Sequence, residues 1–207
     1  MNVQDRTTRR GFLISTGTLA AGFGLPRDAF GQELAPTPAC HDGDEPTVKQ
    51  TEGPFFKPRS PQRADLREPG TSGQPLELTG YVLTRRCQPV AGALVDLWHA
   101  DDRGEYDNKG FRYRGHQFTD GSGTFRFLTI QPAVYTGRTR HYHVKVQPRG
   151  GRLLTTQLYF PDEPGNARDG LFRRELLMRV AQAAPPRAAA LSMPALAARF
   201  DFVLDVR

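Results

Sequence analysis

Two cysteines in 207 residues are too few for a zinc ribbon or a disulfide-dense scaffold. They leave room for one bridge, Cys40 to Cys87, which only an oxidising compartment would allow to form. No block of five or more Lys or Arg occurs, although 28 basic residues face 22 acidic ones, so the net charge of +6 is spread over a solvated surface instead of forming a nucleic-acid footprint. No apolar run is long enough to span a bilayer, and neither an internal repeat nor a phosphate-cradling glycine loop is present. A hydrophobic share of 38% beside 24% charged residues excludes a multi-span membrane protein and argues against a wholly disordered chain.

What the chain does have is turn punctuation, with 21 Gly and 17 Pro favouring short strands and loops over a helix bundle. Residues 1–31 read as an export signal. Arg9 and Arg10 directly precede Gly11-Phe12-Leu13 and a Gly/Ala-rich apolar run to Leu25, a pattern that resembles the twin-arginine signal, and Ala29-Phe30-Gly31 offers a cleavage site. Residues 32–75 lack periodicity and are expected to form an irregular arm packed on the main domain. Within the arm, Phe55 and Phe56 beside Gly53-Pro54 are costly to leave in water.

Residues 76–207 form the expected domain. Short β-type runs cover Glu77–Thr84, Ala93–His99, Thr124–Ile130, Arg140–Gln147, Leu154–Phe160 and Phe200–Val206. In the last of these, Phe200, Phe202, Leu204 and Val206 alternate with Asp201 and Asp205. Turns fall at Asp120-Gly121-Ser122-Gly123 and Arg149-Gly150-Gly151. The fold expected is all-β, an antiparallel β-sandwich of prealbumin or immunoglobulin-like topology with long loops. One short helix is expected at Asp169–Ala183, and Ala184–Ala198 reads as a surface connection.

The segment Tyr135 to His143 carries the chemistry. On a strand, His141 and His143 face one way and Tyr142 the other, so the two imidazoles form a two-point metal ligand. The usual partners of such a pair are missing: there is no His-Glu-x-x-His helix, no Cys pair and no His-x-Asp or His-x-Glu step. The oxygen donors at hand are phenols, Tyr135 and Tyr106. A phenol becomes an anionic ligand only where a strongly acidic cation lowers its pKa, and Fe(III) does so readily.

The ordered set Glu52-Gly53-Pro54-Phe55-Phe56, Leu94 to Asp101, Gly104-Glu105-Tyr106, Arg114-Gly115, Thr119 to Gly123, Thr129 to Tyr135, Arg138 to His143 and Leu154 to Phe160 resembles the intradiol ring-cleavage dioxygenases, the family of protocatechuate 3,4-dioxygenase and catechol 1,2-dioxygenase. The resemblance implies that Tyr106, Tyr135, His141 and His143 hold one non-haem Fe(III) per chain. It implies a catechol-type substrate that binds as a dianion and is opened with O2 to a muconate-type diacid, with Tyr135 acting as base as well as ligand. Arg138 and Gln157 match the family's pocket residues that meet developing negative charge. Phe55 and Phe56 are candidates to border the substrate. His99 is expected to be structural, His116 to lie in a solvated loop, and Tyr142 to face away from the metal.

Two other readings compete with this one. Gly80, Gly92-Ala93 and Thr119 to Phe125 also suit a non-catalytic transthyretin-like binding sandwich, and His141 with His143 and a carboxylate such as Asp96 or Glu105 would suit a zinc hydrolase. An exported, periplasmic or extracellular protein is expected, with no nucleic-acid partner and no stable membrane span. The oligomeric state is left open, since no long helical segment precedes Gly53.

Overall fold

The computed structural model describes residues 40, 45–70, 72–185 and 195–206, and the leader expected over residues 1–31 lies outside them. The strands in chain order are β1 (Pro75–Thr84), β2 (Leu94–Trp98), β3 (Arg114–Phe118), β4 (Thr124–Ile130), β5 (His141–Gln147), β6 (Leu154–Tyr159), β7 (Arg179–Gln182), β8 (Leu196–Arg199) and β9 (Phe202–Leu204). One sheet runs β4-β1-β8-β7 with β9 also on β1, and the other runs β3-β2-β5-β6. The fold is therefore the expected all-β sandwich, antiparallel except where β1 pairs β8 and β9 in parallel. Among the described residues, no helix is long and apolar enough to cross a membrane.

Alternating residues make the core. Leu76, Leu78, Val82, Phe125, Phe127 and Phe202 from the first sheet meet Val95, Leu97, Tyr142, Val144 and Val146 from the second, all buried. Tyr142 lies on this inner face, and its hydroxyl donates to the Ile130 carbonyl at 2.7 Å while its ring packs on Phe160. An aromatic at that position fills the core without an unsatisfied hydroxyl.

Three expectations fail in the C-terminal third, and a fourth fails at His116. The helix expected over Asp169–Ala183 is a loop, a 3-10 turn at Arg174–Leu176 and then β7. Its apolar residues do not make one stripe: Leu176 and Met178 are buried, while Leu171 is exposed. The connection expected over Ala184–Ala198 ends in a buried strand, β8, whose Ala197 and Ala198 pair with Glu77 and Leu78 of β1; residues 186–194 of it lie outside the described residues. The single strand expected over Phe200–Val206 is broken at Phe200–Asp201. There the Phe200 carbonyl comes so close that a Cβ on Gly80 would sit 1.8 Å from it, and the buried Asp201 carboxylate accepts from the Tyr81 amide at 2.9 Å in place of a backbone carbonyl. His116 is on β3 and not in a loop, and its Nδ1 lies 3.0 Å from the Ser60 hydroxyl.

Residues 45–70 of the arm form no named strand; residues 51–60 lie across the outer face of the second sheet, whereas Arg63 bonds to His116 on β3 and Leu66 to Leu128 on β4, at the sheet edges. The register places Arg114, Trp98, His143 and Gln157 in one row across β3, β2, β5 and β6, with His116, Asp96, Lys145 and Thr155 in the next. Arm residues meet this polar face one by one. The Thr51 carbonyl accepts from Gln157 and Glu52 pairs with Lys145. Phe56 packs on Trp98 with Lys145 over its ring, and the Ser60 hydroxyl donates to Asp96. A Cys40–Cys87 disulfide, with Cα atoms 5.7 Å apart, ties the start of the arm to the turn after β1.

Candidate metal centre

Two loops and one strand bring the candidate ligands together. After β2 the chain turns on Asp101, whose Oδ1 accepts from the amides of Arg103 and Glu105, both at 2.9 Å. Gly104, at φ +83°, lies against the Val134 carbonyl so closely that a Cβ would sit 2.5 Å from it. The loop carrying Tyr106 is thereby packed on the loop carrying Tyr135. Asp107 continues the fold-back by accepting from the amides of Lys109, Gly110 and Arg112.

On β5 the two histidines project as expected. The His141 Nδ1 lies 2.6 Å from the Thr139 carbonyl, so Nδ1–H donates there and Nε2 keeps its lone pair. That Nε2 sits 3.2 Å from His143 Nε2 and 3.3 Å from the Tyr106 hydroxyl. His143 is stacked on Trp98 with centroids 5.0 Å apart. Burial drives His141 down to about 4, against the Thr139 carbonyl that favours its charged form. Burial, then the neighbouring His141, Arg138 and Arg114, drive His143 well down, with the backbone of Thr51 opposing. Both imidazoles are therefore neutral near pH 7 and offer lone pairs. The Tyr106 phenol is pushed up by burial, with Arg138 and Arg114 pulling the other way.

Tyr135 is half-buried, its ring 5.7 Å from that of Tyr106 and edge-on to Phe55 at 5.4 Å. Phe55 is stacked on Tyr106 at 4.5 Å and so borders both phenols. Phe56 sits one row away on Trp98 and Lys145, where it anchors the arm. Gly53, at φ +69°, lets the arm pass over His143, with the place of its missing Cβ 3.1 Å from His143 Cε1.

Arg138 and Gln157 are brought together beside this cluster. The Arg138 Nη2 donates to Gln157 Oε1 at 2.6 Å, and Gln157 Nε2 donates to the Thr51 carbonyl. The Arg138 Nε lies on both oxygens of Asp169, at 3.1 and 2.9 Å. Burial pushes the Asp169 carboxyl up, but the amides of Thr139 and Leu171 and the Arg138 guanidinium outweigh it and hold the group below the usual carboxylate range.

Three structural residues were not assigned a role from sequence. Asp101 and Asp107 show the Asx-turn signature of an Asp followed two residues on by a turned-back amide, which spacing could have suggested. Asp169 gives no such local signal, because its partner lies 31 residues away. His99 is fully buried, with Nδ1 2.7 Å from the Ala100 carbonyl and Nε2 2.6 Å from the Thr129 hydroxyl, as befits a structural histidine.

The donor set fits a hard, strongly acidic cation. The two neutral imidazoles bring their Nε2 atoms to 3.2 Å of each other beside a phenol, and with the His143 proton on Nδ1 both would offer lone pairs to one cation there. Tyr106, His141, His143 and the adjacent Tyr135 would hold that ion, the phenols supplying negative charge. A carboxylate site does not form: among the described residues no group of three or more His, Cys, Asp or Glu could hold a metal ion. Asp96 is bonded to Ser60 and Glu105 is exposed.

A family model described as a dioxygenase matches residues 51–206. The chain is 34% identical over 119 residues to the protocatechuate 3,4-dioxygenase beta chain of Burkholderia cepacia. That match covers 49% of this chain and 51% of the relative, so the chain spans about half that relative's length. It is 29% identical over 188 residues to a chlorocatechol 1,2-dioxygenase of Rhodococcus opacus, covering 74% of this chain and 70% of that one. Among solved structures, the dioxygenase domain of a dioxygenase carbohydrate-binding protein fusion from Streptomyces sp. SirexAA-E superposes with a TM-score of 0.73 at 51% identity, covering 79% of this chain and all of that one (100%). The 3-chlorocatechol 1,2-dioxygenase of Rhodococcus opacus 1CP superposes with a TM-score of 0.71 at 27% identity, covering 78% of this chain and 73% of that one. With a sandwich shared with solved dioxygenases and a family match that runs from the arm through the last strand, the chain belongs to the intradiol ring-cleavage dioxygenases.

Proposed function

We propose that the protein is a non-haem Fe(III)-dependent dioxygenase that opens a catechol-type ring between its two hydroxyl-bearing carbons, consuming O2 and giving a muconate-type diacid. The observation that carries this reading is that His141 Nε2 lies 3.2 Å from His143 Nε2 and 3.3 Å from the Tyr106 hydroxyl, with the Tyr135 ring beside that of Tyr106. Held there, Fe(III) would supply the Lewis acidity that favours the doubly deprotonated catechol and would give the bound ring the radical character it needs to react with O2.

The chain's own groups do the rest. Tyr135, half-buried at the rim, would meet the ion as a phenolate, and in that form its Oη would take a proton from a substrate hydroxyl and become the neutral phenol. Phe55 stacks on Tyr106 and offers the aromatic wall against which a ring lies. Arg138 presents a guanidinium donor to the side where negative charge develops. Phe56 and the arm keep water off the back of the histidine pair. The relatives include a protocatechuate, a chlorocatechol and a hydroxyquinol dioxygenase, which supports a vicinal diol and leaves the ring substituents to experiment.

We also propose that the protein is exported and works in the periplasm or outside the cell. The twin-arginine-like leader of residues 1–31 and the Cys40–Cys87 bridge support this, because such bridges persist in oxidising compartments. Cell fractionation tests it, and protein confined to the cytoplasm with free thiols would refute it.

Metal content and the visible spectrum of the purified protein, before and after anaerobic addition of catechol or 3,4-dihydroxybenzoate, test the main reading. A coloured protein with about one iron per chain, whose band moves on adding one of the diols, is expected from phenolate ligation. A protein that takes up no iron on reconstitution and is unchanged by either diol refutes it.

A further inference from the structure

Asp169 stands outside the metal centre, in the loop after β6, yet its side chain is only 3% exposed, and its oxygens are taken up by Arg138, by the neighbouring Thr139 and by Leu171. Its two oxygens take the Arg138 Nε, Oδ2 takes the Thr139 amide at 2.9 Å, and Oδ1 takes the Leu171 amide at 2.9 Å. On the opposite edge of the guanidinium, Nη2 donates to Gln157 Oε1 at 2.6 Å and reaches the Tyr159 hydroxyl at 3.4 Å. Gln157 is in turn fixed to Thr51, and Tyr159 donates to the Leu171 carbonyl at 2.9 Å. Two of the three guanidinium nitrogens are thus bound to protein. Nη1 has no hydrogen bond among the described residues, and the side chain keeps 17% of its surface exposed.

This arrangement gives a donor of fixed direction. An arginine held at one edge can swing about its long side chain, whereas one held at Nε and Nη2 by partners that are themselves fixed cannot. The ion pair also offsets the cation's charge locally, so what remains for the substrate is the pair of N–H donors on Nη1, held in one direction. The Arg138 amide closes on the Tyr135 carbonyl at 2.9 Å, which ties this geometry to the neighbouring candidate ligand.

We infer that Asp169 is a positioning residue that acts through Arg138, holding the guanidinium between itself and Gln157 so that Nη1 meets the negative charge developing on the substrate. The inference rests on the proposed dioxygenase reading.

A double-mutant cycle on the iron-loaded protein tests it, using Asp169→Asn, Arg138→Gln and the pair, with steady-state catechol turnover and anaerobic catechol titration as readouts. Asp169→Asn is expected to lower kcat about ten- to hundredfold while KM moves by less than about threefold, since the lost contact matters in the transition state. In the Arg138→Gln background it is expected to change kcat no further. An equal fall in both backgrounds, or a loss confined to thermal stability, would overturn the inference. Should Asp169→Asn not fold, Asp169→Glu goes through the same cycle: a fall in kcat that vanishes beside Arg138→Gln supports the assignment, and one that persists overturns it. A parent enzyme that turns over no catechol counts against the dioxygenase reading, whereas a working parent with additive variants counts against Asp169 alone.

Discussion

The second sheet has two buried faces built on opposite chemistry. Its inner face, with Val95, Leu97, Tyr142, Val144 and Val146, is mostly carbon, and the hydroxyls of Tyr142 and Thr156 there are both bonded. Its outer face, under the arm, buries His141, His143, Asp96, Arg114 and Gln157. Trp98 Nε1 and Arg114 Nη2 on that face find no hydrogen-bond partner among the described residues. Burial on the inner face stabilises the fold. On the outer face the same burial keeps imidazoles neutral and costs stability, which is how a site is kept ready for a cation.

The sharpest way to break the comparison is to make the outer face resemble the inner one. His143→Leu should lower catechol turnover by about 10³ or more through loss of a ligand, while the metal-free protein unfolds in urea at no lower midpoint than the parent, because an unsatisfied buried imidazole has been exchanged for carbon. An iron-replete, active variant would remove His143 from the ligand set.

On the inner face the order of effects should invert. Phe127→Ala opens a cavity between the sheets and should cost roughly 3–5 kcal/mol in urea unfolding, with iron bound per folded chain unchanged. A loss of iron stoichiometry in the folded fraction would show that the two faces are not separable.

The next effect is a pH dependence. Burial pushes His99 down to about 4, against its bond to the Ala100 carbonyl, so between that value and about 6.5 the unfolded chain binds the proton and the folded one does not. Stability contributed by neutral His99 is therefore complete above about pH 6.5 and is lost as pH falls through that window, by at most about 3 kcal/mol. His99→Gln should flatten the slope of unfolding free energy against pH between 4 and 6.5, and an unchanged slope would contradict the assignment.

The smallest effect expected belongs to the arm. Ser60→Ala removes the donor to Asp96 and should cost about 1–3 kcal/mol, more than a surface serine would. A change within experimental error would mean that solvent reaches this layer.

The sequence made some of this legible and hid the rest for physical reasons. β4 coincides with the run expected from alternation, and β5 lacks only Arg140, because strands with one carbon face advertise a period of two. The apposition of His141 and His143 followed from the same period. The segment after Asp169 misled because its apolar residues are divided between solvent (Leu171), a 3-10 turn (Leu176) and a strand (Val180), and three- to four-residue spacing in a short stretch cannot tell these from a helix. β8 was hidden by its composition, since Leu-Ala-Ala-Arg has no β signature and is a strand only because β1 supplies an edge. The His–Tyr cluster was legible through motif order, whereas Asp169 and the Arg114 clamp on the Phe55 and Asp107 carbonyls depend on contacts between distant segments that no local pattern reports.

β1 stands at the meeting point of the chain's two ends: residues 196–199 and 202–204 pair along it, and the Thr47 amide bonds to the Val203 carbonyl. A polypeptide leaving the ribosome N-terminus first can form the hairpins β2–β3 and β5–β6 early. It cannot complete the first sheet, or give the Thr47 amide its partner, until residues near Val203 have emerged. At about 5–20 residues per second, the second sheet and the arm residues on its outer face wait a few seconds for the last strands of the sheet against which they pack. Closure of the core is thus a late event, and the interval before it is when the chain is most exposed to misfolding.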